Sequence, residues 1–208
     1  MPHVMHHHYN TLISEIWPTH ASRANIVRGT ILALLGSLLL TLAAKVQVPF
    51  YPVPMTMGTL VVLGLGMAYG WRLAGATMVL YMAQGAMGLP VFAGTPEKGI
   101  GITYMMGGTG GYLIGYVLAA VTVGWLAEKG WDRTMLGTAL AMLIGNAVIY
   151  VPGLIWLGVL FGWDKPIFEW GFTPFILGDV TKVALATAIM PLAWHLLGKY
   201  KKQDGNSA

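Results

Sequence analysis

Cysteine is absent and charge is scarce. The lack of any cysteine among 208 residues excludes a disulfide-stapled secreted domain and a cysteine-ligated zinc module. Charged residues make up 10% of the chain, against about a quarter in soluble domains, so a continuous water-facing surface can hardly be built. That excludes an ordinary soluble enzyme. The formal net charge of +4 does not point to nucleic acid, because too little polar sequence separates the apolar runs to form a basic groove. Catalytic motifs are missing too. Gly107-Gly108-Thr109-Gly110-Gly111 has no following lysine and so is not a phosphate loop, no His-Glu-x-x-His pattern or nucleophile elbow occurs, and His195 stands alone. No catalytic residue, metal or cofactor is expected. What is present is hydrophobic sequence, 56% of the chain, and the reading is a single-domain, all-α integral membrane protein.

Residues 1–24 differ from the rest. They hold five of the six histidines (His3, His6, His7, His8 and His20) and lack the apolar run of a signal peptide. They are read as an uncleaved cytoplasmic tail, and His6-His7-His8 as part of that tail rather than a metal site. Six apolar runs follow, at about 26–44, 56–70, 73–89, 105–127, 134–161 and 174–197. They define a six-helix transmembrane domain over 25–198, with a basic tail at 199–208. The second and third runs are shorter than the ~20 residues of a straight crossing. With six crossings, one side receives Arg23, Arg28, Arg72, Lys129, Arg133, Lys199, Lys201 and Lys202, and the other only Lys45, Lys98 and Lys165. The bias puts both termini in the cytoplasm of a multi-pass cell-membrane protein. The outward loops are then 45–54, 90–104 and 162–173.

The sharpest feature is a pair of ionisable residues, Asp179 and Lys182, inside the sixth run. Their i, i+3 spacing puts them on one helical face, roughly 7–9 Å below the outer end for Asp179 at 1.5 Å per residue. Charged groups at membrane depth normally face a cavity or each other, so the pair is either a structural ion pair or one wall of a polar ligand site. Asn146 and Tyr150 on the fifth run reach a similar depth and share a face. Phe50, Tyr51, Phe92, Tyr104 and Tyr112 stand at outer ends, as an interfacial belt or as cover for a ligand. Small residues recur every four positions at Gly29, Ala33, Ser37 and Thr41, at Gly107, Gly111, Gly115 and Ala119, and at Gly137, Ala141 and Gly145. Such stripes let helices approach closely. The first could equally face a partner.

Several stretches resemble one family, the biotin-specific substrate-binding (S) components, BioY, of energy-coupling-factor transporters. They are Val53-Pro54-Met55-Thr56, the run from Tyr81-Met82-Ala83-Gln84 through Gly88-Leu89-Pro90-Val91-Phe92, Thr109-Gly110-Gly111-Tyr112-Leu113, and Gly178-Asp179-Val180-Thr181-Lys182. The chain departs where the family usually has Gln and this sequence has Gly58, and where it usually has Pro and this sequence has Gly108. The resemblance implies six spans, an outward-facing biotin pocket, and transport with a membrane T component and two ATPase subunits, so that any ATP is used only by partners. It favours Gly29, Ala33 and Ser37 as the face toward the T component. Asp179 would accept from a ureido N–H, Asn146 would serve either ureido group, and Lys182 would meet the ureido oxygen, the tail carboxylate or Asp179 itself. Phe92, Tyr112 and Tyr150 would supply apolar walls, with Thr56 and Gln84 as weaker polar candidates. The alternatives are an S component for another small vitamin and a self-sufficient, ion-coupled biotin carrier.

Overall fold

The computed structural model describes residues 10–18, 22–49 and 51–205. His3, the His6-His7-His8 cluster, His20 and Phe50 lie outside the described residues. The elements in order are α1 (Leu12–Ile16), α2 (Ser22–Lys45), the short strands β1 (Gln47–Val48) and β2 (Met55–Thr56), α3 (Gly58–Ala86), α4 (Gly101–Met105), α5 (Gly110–Ala127), a 3₁₀ turn at Trp131–Arg133, α6 (Met135–Phe161), α7 (Ile167–Gly171), a second 3₁₀ turn at Thr173–Phe175, and α8 (Ile176–Gly205). Among the described residues, five helical stretches are long and apolar enough to cross a membrane: Arg23–Lys45, Gly58–Ala86, Gly110–Ala127, Met135–Phe161 and Ile167–Lys201.

The second of these joins two expected runs. Within α3, Gly70 has φ 76° and ψ 170°, far from helical values. A side chain is strained at that φ, which is why glycine stands there. Thr59 and Tyr81, on either side of Gly70, line the same cavity, although a straight helix would hold them about 33 Å apart at 1.5 Å per residue. The chain therefore folds back at Gly70, and α3 is two helical segments. Each is shorter than the ~20 residues of a straight crossing because Gly70 divides a 29-residue helix. Glycine also permits the neighbours: a Cβ at Gly70 would stand 2.5 Å from Glu128 Oε1 and 2.6 Å from Thr11 Cγ2.

The outer faces of the long helices carry large apolar side chains, Leu34, Leu35, Leu38 and Leu39 on α2 and Leu136, Leu140 and Leu143 on α6, as lipid contact requires. The inside is closed by smaller residues. A Cβ at Gly111 would lie 2.3 Å from Pro152 O, and one at Gly115 2.7 Å from Ile149 O, so the α5 stripe brings α5 and α6 into backbone contact. Gly145 on α6 abuts Leu63 and Val123 in the same way. The α2 stripe divides. Ala33 and Ser37 are buried within the chain, while a Cβ at Gly29 would meet nothing within 4 Å. Of these three residues only Gly29 is open to a partner in this structure, because α2 turns the other two toward α3 and presents leucines instead.

The expected N-terminal tail is in part ordered onto the bundle. Arg133 donates to the Asn10 carbonyl at 3.2 Å, Lys201 donates to Glu15, and Thr11 reaches Gly70. The first and last described segments thus meet at one end of the bundle. The Asp132 carboxylate is buried there, accepting from Trp194 Nε1 at 2.6 Å, with Arg133 4.2 Å above the Trp194 ring. Burial pushes the Asp132 carboxyl up to about 6, against the opposing pull of the indole donor and Arg133.

Two outcomes follow from these contacts. Gly70→Ala strains the fold-back and should destabilise the protein by about 1–2 kcal/mol or more, seen as a lower melting temperature in detergent. The folded-state carboxyl of Asp132 binds its proton more tightly than the unfolded one does, so its contribution to stability is complete below about pH 4 and is lost as pH rises through about 6. Between about pH 4 and 6 the melting temperature should fall more steeply for the native sequence than for Asp132→Asn.

Candidate ligand-binding site

A cavity opens at the end of the bundle opposite the first and last described segments. The β1–β2 ribbon, paired Gln47↔Thr56 and Val48↔Met55, brings Val53, Pro54 and Thr56 to one wall. Prolines 49, 52 and 54 keep the connection out of helix and compact. The first half of α3 adds Gly58 and Thr59, and its second half adds Tyr81.

The polar wall comes from α8. Lys182 Nζ lies 3.2 Å from Asp179 Oδ1 and donates to Thr59 Oγ1 at 2.8 Å. The Tyr150 hydroxyl donates to Asp179 Oδ2. Asp179 is 8% exposed and Lys182 6%, yet both line the cavity. The pair is therefore neither directed at lipid nor sealed without space beside it. Each Asp179 oxygen receives one of these donors, and a carboxylate with about four acceptor positions has room for more. Two of the three ammonium protons are directed to Asp179 and Thr59, so a third remains for a ligand.

Aromatic rings build the apolar walls. Phe92, 1% exposed, stacks on Tyr104 at 5.1 Å and 17° and meets Tyr81 edge-on at 5.3 Å. Its ring rests on Gly85, where a Cβ would fall 2.0 Å from Phe92 Cζ. The Tyr112 hydroxyl donates to the Gly171 carbonyl at 2.8 Å, which holds its ring edge-on to Tyr150 at 6.2 Å. Phe172 meets the Tyr150 ring edge-on at 4.9 Å, so Tyr150 is fixed from two sides while it faces Asp179. Lys45 ties the roof down. Its ammonium donates to the Phe92 carbonyl at 3.0 Å, the Thr95 carbonyl at 2.9 Å and Thr95 Oγ1 at 3.0 Å.

Of the residues expected from sequence, Asp179, Lys182, Tyr150, Tyr112, Phe92 and Thr56 line this cavity, whereas Asn146 and Gln84 do not. Asn146 is buried, but it sits one turn, about 6 Å, from Tyr150, and Ile149 closes the wall at that level. Tyr150 thus stands at the depth of Asp179, and Asn146 one turn away from it. Gln84 accepts from the Ser37 hydroxyl and lies in a groove between α2 and α3 with Leu38, Thr41 and Val91. On that helix Tyr81 and Gly85 take the inward face, which turns Gln84 toward α2. Sequence reasoning missed Thr59, Tyr81 and Tyr116 as lining residues. Tyr116 follows Tyr112 by four positions, a spacing that places both on one face. Thr59 carries no comparable signal, since a threonine one turn into an apolar helix is ordinary.

Comparison with known proteins finds similar sequences and a similar fold. The model of the BioY family matches residues 14–199. A protein of Rickettsia prowazekii named as a probable biotin transporter BioY is 26% identical over 96% of this chain and 100% of its own length. The probable biotin transporter BioY of Pyrococcus horikoshii is 35% identical, covering 73% of this chain and 86% of that protein. The biotin transporter BioY of Thermotoga maritima is 32% identical over 78% and 94% of the two chains. The crystal structure of the S-component for biotin from an ECF-type ABC transporter superposes with a TM-score of 0.70, at 20% identity, over 83% of this chain and 93% of that one; it shares the fold.

The roof contact gives a direct test. Lys45→Met removes the three donated bonds and should raise amide hydrogen exchange across residues 91–99 by about tenfold, one to two net hydrogen bonds' worth, while exchange in α5 stays unchanged.

Proposed function

The chain belongs to the BioY family, and on that premise we propose that it captures biotin at the outer face of the cell membrane as the S component of an energy-coupling-factor transporter. The observation that carries the reading is the Asp179–Lys182 pair, buried beside an aromatic-lined cavity. A buried ion pair is a poor stabiliser, because desolvating two charges costs several kcal/mol that their attraction only partly offsets. Its value lies in what it offers a ligand.

Biotin fits that offer. Its ureido ring presents two N–H donors and a carbonyl, its thiophane ring is apolar, and its tail is anionic. Asp179 accepts a ureido N–H through a charge-assisted bond, Lys182 supplies a donor for the ureido oxygen, and the rings of Phe92, Tyr112 and Tyr150 enclose the apolar part. Thr56 adds a hydroxyl.

The membrane arrangement proposed with it has six crossings and both termini in the cytoplasm. The fold-back at Gly70 supports the count, since it makes two segments of α3, and the excess of basic residues at the terminus-bearing end supports the orientation. Partners are a membrane T component and two ATPase subunits. ATP is hydrolysed there, and this chain is a transport component rather than an enzyme. Gly29 with the adjoining leucine-rich face of α2 is the part of the first helix left open to the T component.

Calorimetry with biotin tests the assignment. Asp179→Asn or Lys182→Ala should each weaken binding by about 2–5 kcal/mol, because the surviving partner is left buried and unpaired. Unchanged affinity in both variants would remove the pair from the site.

A further inference from the structure

Beside Lys182 the polar wall continues into a cluster that the pair does not account for. Gly58 lines the cavity immediately before Thr59. A Cβ built there would stand 2.9 Å from Thr56 Oγ1 and 3.1 Å from Tyr116 Oη. Two hydroxyls thus converge on the place where any other residue would put its side chain. Gly58 has no positive φ and sits in the first turn of α3, so the backbone itself does not call for glycine here. The space does.

The hydrogen-bond inventory of the two hydroxyls is incomplete. Thr56 Oγ1 accepts from the Gly58 N–H at 3.0 Å. Two hydroxyls carry two donors and at least three acceptor positions. Even with one bond made between the two hydroxyls, one donor and at least one acceptor remain beside the cavity. Both groups are uncharged, unlike the neighbouring Asp179 and Lys182.

We propose that Thr56 and Tyr116, with Gly58 kept free of a side chain to admit them, form a second and uncharged hydrogen-bonding subsite that reads a ureido- or amide-like N–H of the ligand's head group. This rests on the biotin reading of the cavity and deepens it. Asp179, Lys182, Gly58, Thr56 and Tyr116 all line this one cavity. A planar group with a donor on each side of a carbonyl can use all three: Asp179 takes one N–H, Lys182 the oxygen, and the hydroxyl pair the second N–H. Gly58 and Tyr116 are then specificity-determining residues, because they decide whether the second donor is satisfied or left unpaired. An unpaired buried donor is what a site uses to reject a near relative.

The experiment measures binding of biotin, and of the two biotins methylated on one or the other ureido nitrogen, to the full chain and to Gly58→Ala, Tyr116→Phe and Asp179→Asn. Gly58→Ala and Tyr116→Phe should each weaken biotin binding about fivefold to tenfold, the worth of one neutral hydrogen bond in a buried site, with melting temperature kept. One methylated isomer, blocked at the second N–H, should lose most of its disadvantage in Tyr116→Phe, while the other keeps it. Thr56→Val serves as an independent probe should either variant fail to melt cooperatively. Affinity for biotin within twofold of the native chain in these variants, with Asp179→Asn still impaired, overturns the subsite and leaves the biotin reading standing. An equal loss for biotin and both isomers also overturns it, since that marks a packing effect. Absence of biotin binding by the native chain counts against the biotin reading itself.

Discussion

Everything about the upper half of this bundle is arranged around an ion pair held out of water. Asp179 and Lys182 lie 3.2 Å apart on one face of α8, and burial makes both charges expensive unless other dipoles complete their shells. Tyr150 from α6 and Thr59 from α3 supply those dipoles. Three helices are thereby fixed relative to one another by polar contacts rather than by apolar packing alone. The pair still borders open space, so its remaining donor and acceptor capacity points to something that enters and leaves.

The scaffold's peculiarities serve that arrangement. Thr59 meets Lys182 only because α3 reverses at Gly70, which returns the chain so that its two halves stand side by side around the cavity. Glycines along α5 bring α6 close enough for Tyr112 and Tyr150 to meet edge-on. The Pro-rich ribbon after α2 and the loop after α3 close the top, the latter fastened by Lys45 to α2. Rigid helices set the polar wall, and loops hold the aromatic roof.

Much of this was legible in the residues themselves. Low charge and repeated apolar runs gave a helical membrane protein, and two ionisable residues in an apolar helix marked the polar wall. The boundaries at Thr134 and Phe161 match α6 closely. The end of the second run at Gly70 coincides with the reversal, although no periodicity announces a turn made by one residue. What stayed hidden was azimuth. Hydropathy is nearly uniform around a membrane helix, so the direction in which Asn146 or Gln84 points is set by neighbours far away in the chain. Gln84 is turned to Ser37, and Ala33 and Ser37 are turned inward, by the parallel seating of α2 on α3, which no local pattern encodes. Thr59 was invisible for the same reason, since its partner lies 123 positions away.

The most direct measurement is native mass spectrometry of the detergent-purified chain from cells grown with biotin. The account predicts a population carrying one added biotin mass, displaced stoichiometrically by labelled biotin. Only the bare polypeptide mass, unchanged on titration with biotin, would contradict it.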